Sequence, residues 1–180
     1  MTTKFFNKKK IIIRKLSKKD LRNVKKFRDF INSFVEEDAQ IMMNEKVSLK
    51  EEEKWLREKL ENIKKRKAVF LVAEHNGTVI GTTGIDLSIL RQNHIGNSGI
   101  TVKKTYRKMG LGSYLIREII KLAKKELKPK PKIIRLNVFS TNTLAIIFYK
   151  KLGFKKMTRI PKQIQYKNKL VDEIIMLLYL

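Results

Sequence analysis

Thr101-Val102-Lys103-Lys104-Thr105-Tyr106-Arg107-Lys108-Met109-Gly110-Leu111-Gly112-Ser113-Tyr114-Leu115 is the stretch on which the fold turns. Before it, residues 95–102 read as a strand. After it, Leu111, Leu115, Ile119 and Leu122 recur at helical spacing, with Arg117, Lys121, Lys124 and Lys125 on the opposite face. A helix therefore spans 111–127, and Pro129 and Pro131 end it. Gly110 and Gly112 fall just before and at the start of that helix. A helix start offers unpaired N–H groups and the positive end of the dipole. Glycine lets an anion's oxygens approach that backbone with no side chain in the way. The physical content of the loop is thus an anion site; a pair of turn and cap glycines without a ligand is the competing reading. Two common nucleotide patterns fit poorly. A dinucleotide loop would need glycine at 115, which is Leu115, and a P-loop would need Gly-Lys-Ser/Thr, whereas Gly112 precedes Ser113-Tyr114.

Working outward, Ile11 to Lys15 reads as a first strand. Ser17 follows as an N-cap with Asp20 at the third helical position, ahead of a helix carrying Leu21, Val24, Phe27, Phe30, Ile31 and Phe34. A second helix starts at Ser48, whose partner Glu51 completes a capping box. It turns Trp55, Leu56, Leu60 and Ile63 inward, with Trp55 expected in the core. His75-Asn76-Gly77-Thr78 between apolar runs marks a hairpin. Residues 133–139 form the next strand. A short helix from Asn142 to Leu152 is closed by Gly153. A terminal strand pair follows, with its turn near Lys167-Asn168. The order β-α-α-β-β-β-α-β-α-β-β describes an α/β sandwich with a mixed sheet, in a single domain over residues 1–180.

Composition bounds the function. No cysteine is present, which removes a disulfide framework, a cysteine nucleophile and a thiolate metal site. Two histidines, His75 and His94, cannot alone make a three-histidine site, so no metal is expected. No apolar run approaches a membrane span, and the basic start has only Ile11-Ile12-Ile13 where a secretory signal needs a longer apolar core. A cytoplasmic protein without a membrane anchor is the expectation. The net charge is +25, from 42 basic and 17 acidic residues. Such a surface attracts polyanions. Residues 103–136 alone carry twelve basic and two acidic side chains. Steering of an anionic ligand is one reading of this charge; solubility is the other.

At this point the chain resembles the GNAT acetyltransferase superfamily. Arg107-x-x-Gly110-x-Gly112 is similar to that family's pyrophosphate loop and lies five residues after Val102. Downstream, Asn137-Val138-Phe139-Ser140-Thr141-Asn142, then Ala145, Tyr149 and Leu152-Gly153-Phe154, resemble the family's second motif. Arg91-x-x-His94-Ile95-Gly96 and Leu170-Val171-Asp172-Glu173 resemble the branch of amino-acid and ribosomal-protein N-acetyltransferases. The resemblance implies a three-layer sandwich, with a mostly antiparallel sheet of about seven strands flanked by four helices. It implies acetyl-CoA as co-substrate and a primary amine as acceptor: an amino acid, a small amine or a protein N-terminus. Ile100, Thr101 and Val102 would pair with the pantetheine amides. Arg107, Lys108, Met109, Gly110, Leu111, Gly112 and Ser113 would form the pyrophosphate loop, with backbone N–H groups from Lys108 onward wrapping it. Asn142 would bond the pantetheine arm, and Tyr149 would protonate the departing thiolate.

A base for the amine is harder to place. Asn97 and Asn137 occupy strand positions where some family members carry glutamate, and an amide takes no proton. Glu74, Asp86, His94 and Glu173 remain candidates, and a water chain to bulk is a further route. Two other function classes stand beside the enzyme: a catalytically silent acetyl-CoA sensor, and a basic module that contacts RNA or the ribosome. A homodimer is compatible with the sequence. The acceptor wall is expected from the helices between about Phe27 and Glu61, the loop around Arg91 and the last hairpin.

Overall fold

The computed structural model describes all residues from Met1 to Leu180. Eight strands form one sheet: β1 (Thr2–Phe6), β2 (Lys9–Lys15), β3 (Ala68–His75), β4 (Thr78–Leu87), β5 (Ile95–Val102), β6 (Ile133–Phe139), β7 (Lys155–Tyr166) and β8 (Lys169–Tyr179). Their order is β1-β2-β3-β4-β5-β6-β8-β7, and every pairing is antiparallel except β5 with β6. Four helices accompany them: α1 (Val24–Glu36), α2 (Leu49–Lys64), α3 (Leu111–Glu126) and α4 (Thr143–Lys151). A 3-10 turn over Lys18–Asn23 leads into α1. This is the mixed α/β sandwich expected, with one strand more than seven. The extra strand is β1, an edge strand with no buried residue, joined to β2 through Asn7 and Lys8 at φ 45° and 64°.

The central strands are covered on both sides. Along β3, Val69, Leu71 and Ala73 face a cluster that includes Leu111, Leu115, Ile116, Ile119 and Ala123 of α3. The alternate residues Phe70 and Val72 face Phe27, Phe30 and Phe34 of α1 and Leu56 of α2. A period of two splits one strand between two cores, because successive side chains leave opposite faces. That is why β3 reads as a continuous apolar run rather than an alternating one. Ala123 rather than Leu122 completes the inward stripe of α3. Trp55 departs from expectation. It is 39% exposed, with its ring edge-on to Phe70 at 5.5 Å between centroids, so it borders a cleft rather than filling the core.

One buried ionic cluster joins β2, α1 and β3. Arg14 donates to both oxygens of Asp20 at 2.7 and 2.9 Å and to both oxygens of Glu74 at 2.9 and 3.0 Å. Lys26 adds a second cation on Glu74. Burial opposes ionisation of Glu74, but hydrogen bonds from Arg14 and Lys26 outweigh it and hold its carboxyl below the ordinary 4.5. Removing one partner of a buried network leaves the others uncompensated. Arg14→Met should therefore lower stability at pH 7 by about 3 kcal/mol, measured by urea unfolding. A depressed carboxyl contributes stability above its unfolded pKa and loses it as pH falls through the folded value. The gap between wild type and variant should thus narrow at pH 4.

Candidate functional site

The parallel pairing of β5 with β6 is short. It joins Ile95, Gly96 and Asn97 to Ile133, Ile134 and Arg135, and then the strands part. β5 stays paired to β4 as far as Val102, and β6 stays paired to β8 as far as Phe139. Each strand follows its antiparallel partner, and the two diverge beyond the Asn97–Arg135 rung. That rung is closed by a hydrogen bond from Arg135 Nε to Asn97 Oδ1 at 2.9 Å. Beyond it, residues 98–102 present a backbone edge with no strand beside it. The resulting cleft has a volume of about 1290 Å³. Its walls come from β5, β6, the 107–113 loop, α1, α2 and α4.

The loop meets the cleft as the sequence suggests, with a refinement. Lys108, Gly110, Gly112 and Ser113 line it, whereas Leu111 is fully buried and Met109 packs against the same core. Those two offer only backbone to a ligand. Gly110 caps α3 at φ 87°, and no side chain caps that helix. The first intrahelical bond reaches Tyr114 N–H, so the N–H groups of Leu111, Gly112 and Ser113 have no helical acceptor. No acidic residue occupies the first turn. The result is a positive, donor-rich helix start opening on the cleft.

Arg107 lines the cleft too, and its side chain is held from two sides. Its Nε donates to the Val102 carbonyl at 2.8 Å, and its Nη2 donates to Glu37 Oε1 at 2.5 Å. Its guanidinium lies 5.9 Å from the Phe34 ring centroid. The side chain ties the loop back to its own strand and across to the end of α1. A second buttress lies behind the loop, where Phe6 of β1 packs edge-on to Tyr114 at 5.8 Å.

Asn142 lines the cleft and caps α4, accepting from the Ala145 N–H at 3.1 Å through Oδ1 and leaving its Nδ2 donors without a hydrogen bond in the protein. Tyr149 is 7% exposed and sits between Phe148 and Phe154, edge-on to both. Its hydroxyl makes no hydrogen bond within the protein, and no fully shielded side-chain oxygen lacks a partner, so it keeps access to the cleft. Burial pushes its pKa up to about 12. Tyr149 is therefore a neutral proton donor across the physiological range. Ile100, Thr101 and Val102 also line the cleft, and Thr101 exchanges a 2.9 Å hydrogen bond with Thr82.

The four base candidates fare differently. Glu74 is held in the Arg14 cluster, away from the cleft. His94 and Glu173 do not line the cleft either, and Glu173 accepts from Asn137 Nδ2 at 2.8 Å. Asp86 does line it, but both its oxygens are taken by Lys59 at 2.6 and 2.7 Å. Sequence reasoning passed over Glu52. This residue lines the cleft, is 6% exposed, and has its carboxyl pushed by burial up to about 7. A signal was present: position 52 lies on the inward stripe of α2, one turn before Trp55-Leu56, where an apolar residue is expected.

Gly110 is the loop position most dependent on its residue type. A Cβ there would meet nothing closer than the Phe6 ring at 4.0 Å, so only the left-handed backbone resists substitution. Gly110→Ala should cost about 1–2 kcal/mol in thermal unfolding.

The acetyltransferase (GNAT) family model matches residues 31–154. An L-amino acid N-acetyltransferase of Escherichia coli is 37% identical over 86 residues, covering 47% of this chain and 52% of that protein. An N-alpha-acetyltransferase of Sulfurisphaera tokodaii is 29% identical over 109 residues, covering 54% of this chain and 63% of that protein. The matched segments thus span between half and two thirds of the length of these relatives. A GNAT-family acetyltransferase structure from Streptococcus pneumoniae superimposes with a TM-score of 0.81 at 24% identity, covering 94% of this chain and 99% of that one. A family match over more than half of the 180 residues, on a sheet that parts between its parallel strands beside a glycine-rich helix start, places the chain in the acetyltransferase (GNAT) family.

Proposed function

We propose that this protein transfers the acetyl group of acetyl-CoA to a primary amine by direct attack on the thioester. The observation that carries this reading is the cleft at the parting of β5 and β6. Into that one opening the fold brings an unpaired strand edge, a donor-rich helix start and a neutral buried tyrosine. The residues present suit the donor. The N–H groups of Leu111, Gly112 and Ser113 match a pyrophosphate, which carries negative charge and several acceptor oxygens. The β5 edge at Ile100, Thr101 and Val102 suits the amides of an extended pantetheine arm, with Asn142 Nδ2 as a further donor. Tyr149, protonated below about pH 12, supplies a proton to sulfur as the carbon–sulfur bond breaks.

The acceptor side lies between α1, α2 and the sheet face bearing Phe70, Thr82, Asp86 and Asn97. The names of the two curated relatives point to amino nitrogen acceptors, an L-amino acid in one and an N-alpha position in the other. A primary amine is the chemistry common to both, and it is the acceptor assigned here.

Two substitutions probe the donor half. A Cβ at Gly112 would lie 3.4 Å from the Phe148 ring and 3.8 Å from Ile100, with a valine's branches extending further into the cleft. Gly112→Val should weaken acetyl-CoA binding about tenfold or more in calorimetry, the loss of at least one hydrogen bond to a charged group. Tyr149→Phe should lower kcat on the order of 100-fold, the usual scale of general acid catalysis, while leaving acetyl-CoA affinity unchanged. Both are read by thiol release over a panel of amines. A wild-type protein that binds acetyl-CoA yet releases no thiol with any amine would be a sensor rather than an enzyme.

A further inference from the structure

The inward stripe of α2 runs through Glu52, Trp55, Leu56, Lys59 and Ile63. Leu56 is fully buried, and Lys59 is matched by Asp86. Glu52 has no such match. It is 6% exposed, yet it forms no salt bridge and no side-chain hydrogen bond, in a chain with 42 basic residues. No fully shielded side-chain oxygen in the molecule lacks a partner, so the unpartnered Glu52 oxygens keep some exposure, and Glu52 lines the cleft. The surrounding wall is apolar, including Phe30, Met42, Met43, Val47, Trp55 and Phe70.

Other ionisable groups in this cleft are Glu51 and Lys59 on α2, Asp86 on β4, Arg107 and Lys108 in the loop, Arg135 on β6 and Tyr149 on α4. Most are engaged. Glu51 accepts from the Ser48 N–H, Lys59 binds Asp86, Arg107 binds Glu37, and Arg135 donates through Nε to Asn97. None of them neutralises Glu52. A buried carboxylate without a partner is unfavourable for folding, and a bound cation would complete it.

We propose that Glu52 is the acceptor-side catalytic carboxylate, receiving the ammonium of an incoming primary amine whose apolar substituent lies against Met42, Met43 and Trp55. Resting on the acetyl-transfer reading, this deepens it by naming a base and an acceptor class. One proton passes from the ammonium to Glu52. The neutral nitrogen then attacks the acetyl carbon, so a carbon–nitrogen bond forms and the carbon–sulfur bond breaks. Tyr149 protonates sulfur and regains a proton from the nitrogen, which keeps one hydrogen in the amide. Glu52 returns its proton to solvent, so acetyl-CoA and an ammonium give an amide, free thiol and one released proton. A carboxyl raised to about 7 suits this work, since it accepts a proton readily at neutral pH.

The probe is L-leucinamide, a primary amine with an apolar side chain and no carboxylate. Trp55 is the only tryptophan and lines the cleft, so its emission reports binding directly. With coenzyme A bound at pH 8, leucinamide should change Trp55 emission saturably in the wild type and not in Glu52→Gln. In turnover, wild-type kcat/KM for leucinamide should rise with pH through an inflection near 7. Glu52→Gln should lose about 100-fold in kcat/KM and lose the inflection, with acetyl-CoA affinity within about twofold of wild type. Glu52→Asp should restore the inflection in part.

A stability readout shows that the variant is folded. A raised carboxyl contributes stability below its unfolded pKa and loses it as pH rises through the folded value, so the wild type is penalised at pH 8. Glu52→Gln should therefore have the higher Tm at pH 8, with the difference shrinking at pH 5. Wild-type kcat/KM and an intact inflection in Glu52→Gln would overturn the inference and leave acetyl transfer standing. Thiol release with polar amines but not with leucinamide would overturn the apolar-acceptor assignment. A wild-type protein that binds acetyl-CoA and acetylates no amine would end both readings together.

Discussion

The cleft of this molecule depends on where the β5–β6 pairing stops. Had the parallel ladder continued past Asn97 and Arg135, the edge of β5 would be consumed by β6 and no cleft would exist. The parting is a consequence of competition. Antiparallel β4–β5 and β6–β8 pairings extend along nearly the full length of their strands, whereas the parallel contact spans three residues on each side. Two strongly paired half-sheets, each with its own twist, can share a common line over only a short distance. The α3 crossover then delivers its N-terminus to the open end of the gap, as the connection between two parallel strands must pass over one face.

Charge is distributed in two ways around this frame. Arg14, Lys26, Asp20 and Glu74 satisfy one another inside the β2–β3–α1 corner, and each carboxylate oxygen there has a donor. Lys59 and Asp86 do the same at the floor of the cleft. Glu52, two turns away from Lys59 on the same helix, is left without a counter-charge. Its place in the first turn of α2 gives it the favourable end of the helix dipole, which tempers the cost of ionising there. An otherwise well-paired interior with one unmatched carboxylate at a cleft is the kind of local inconsistency that marks a site where folding and function pull apart.

Much of the architecture was legible because it rests on local signals. The Asn76-Gly77 turn, the capping residues Ser17 and Ser48, the apolar stripe of α3 and the Gly153 cap each specify their element within a few residues. β1 escaped because an exposed edge strand buries nothing and so leaves no apolar alternation to read. Trp55 was misplaced because helical spacing tells which face a residue occupies but not whether that face meets a core or a gap. In the candidate site, the placement of the loop and of Tyr149 at one cleft followed from short motifs. The partners of Arg107 were not, since Glu37 is seventy positions away and only the fold brings them together. Glu52 was readable in principle as a carboxylate on an inward stripe, but its lack of a partner is a property of three-dimensional packing alone.

The Arg107 clasp carries a consequence for how the two halves of the cleft communicate. One guanidinium holds the end of β5 and the end of α1, two walls of the same cleft. Whatever stiffens the loop also stiffens the terminus of α1 and the Phe34 ring beneath it. Under the acetyl-transfer reading, ordering done by one ligand would not have to be repeated for the other, which would lower the entropic cost of the second. Linkage then makes the effect reciprocal, with the same coupling free energy read from either side. A single guanidinium thereby ties together two walls that the proposed reaction would fill from different sides.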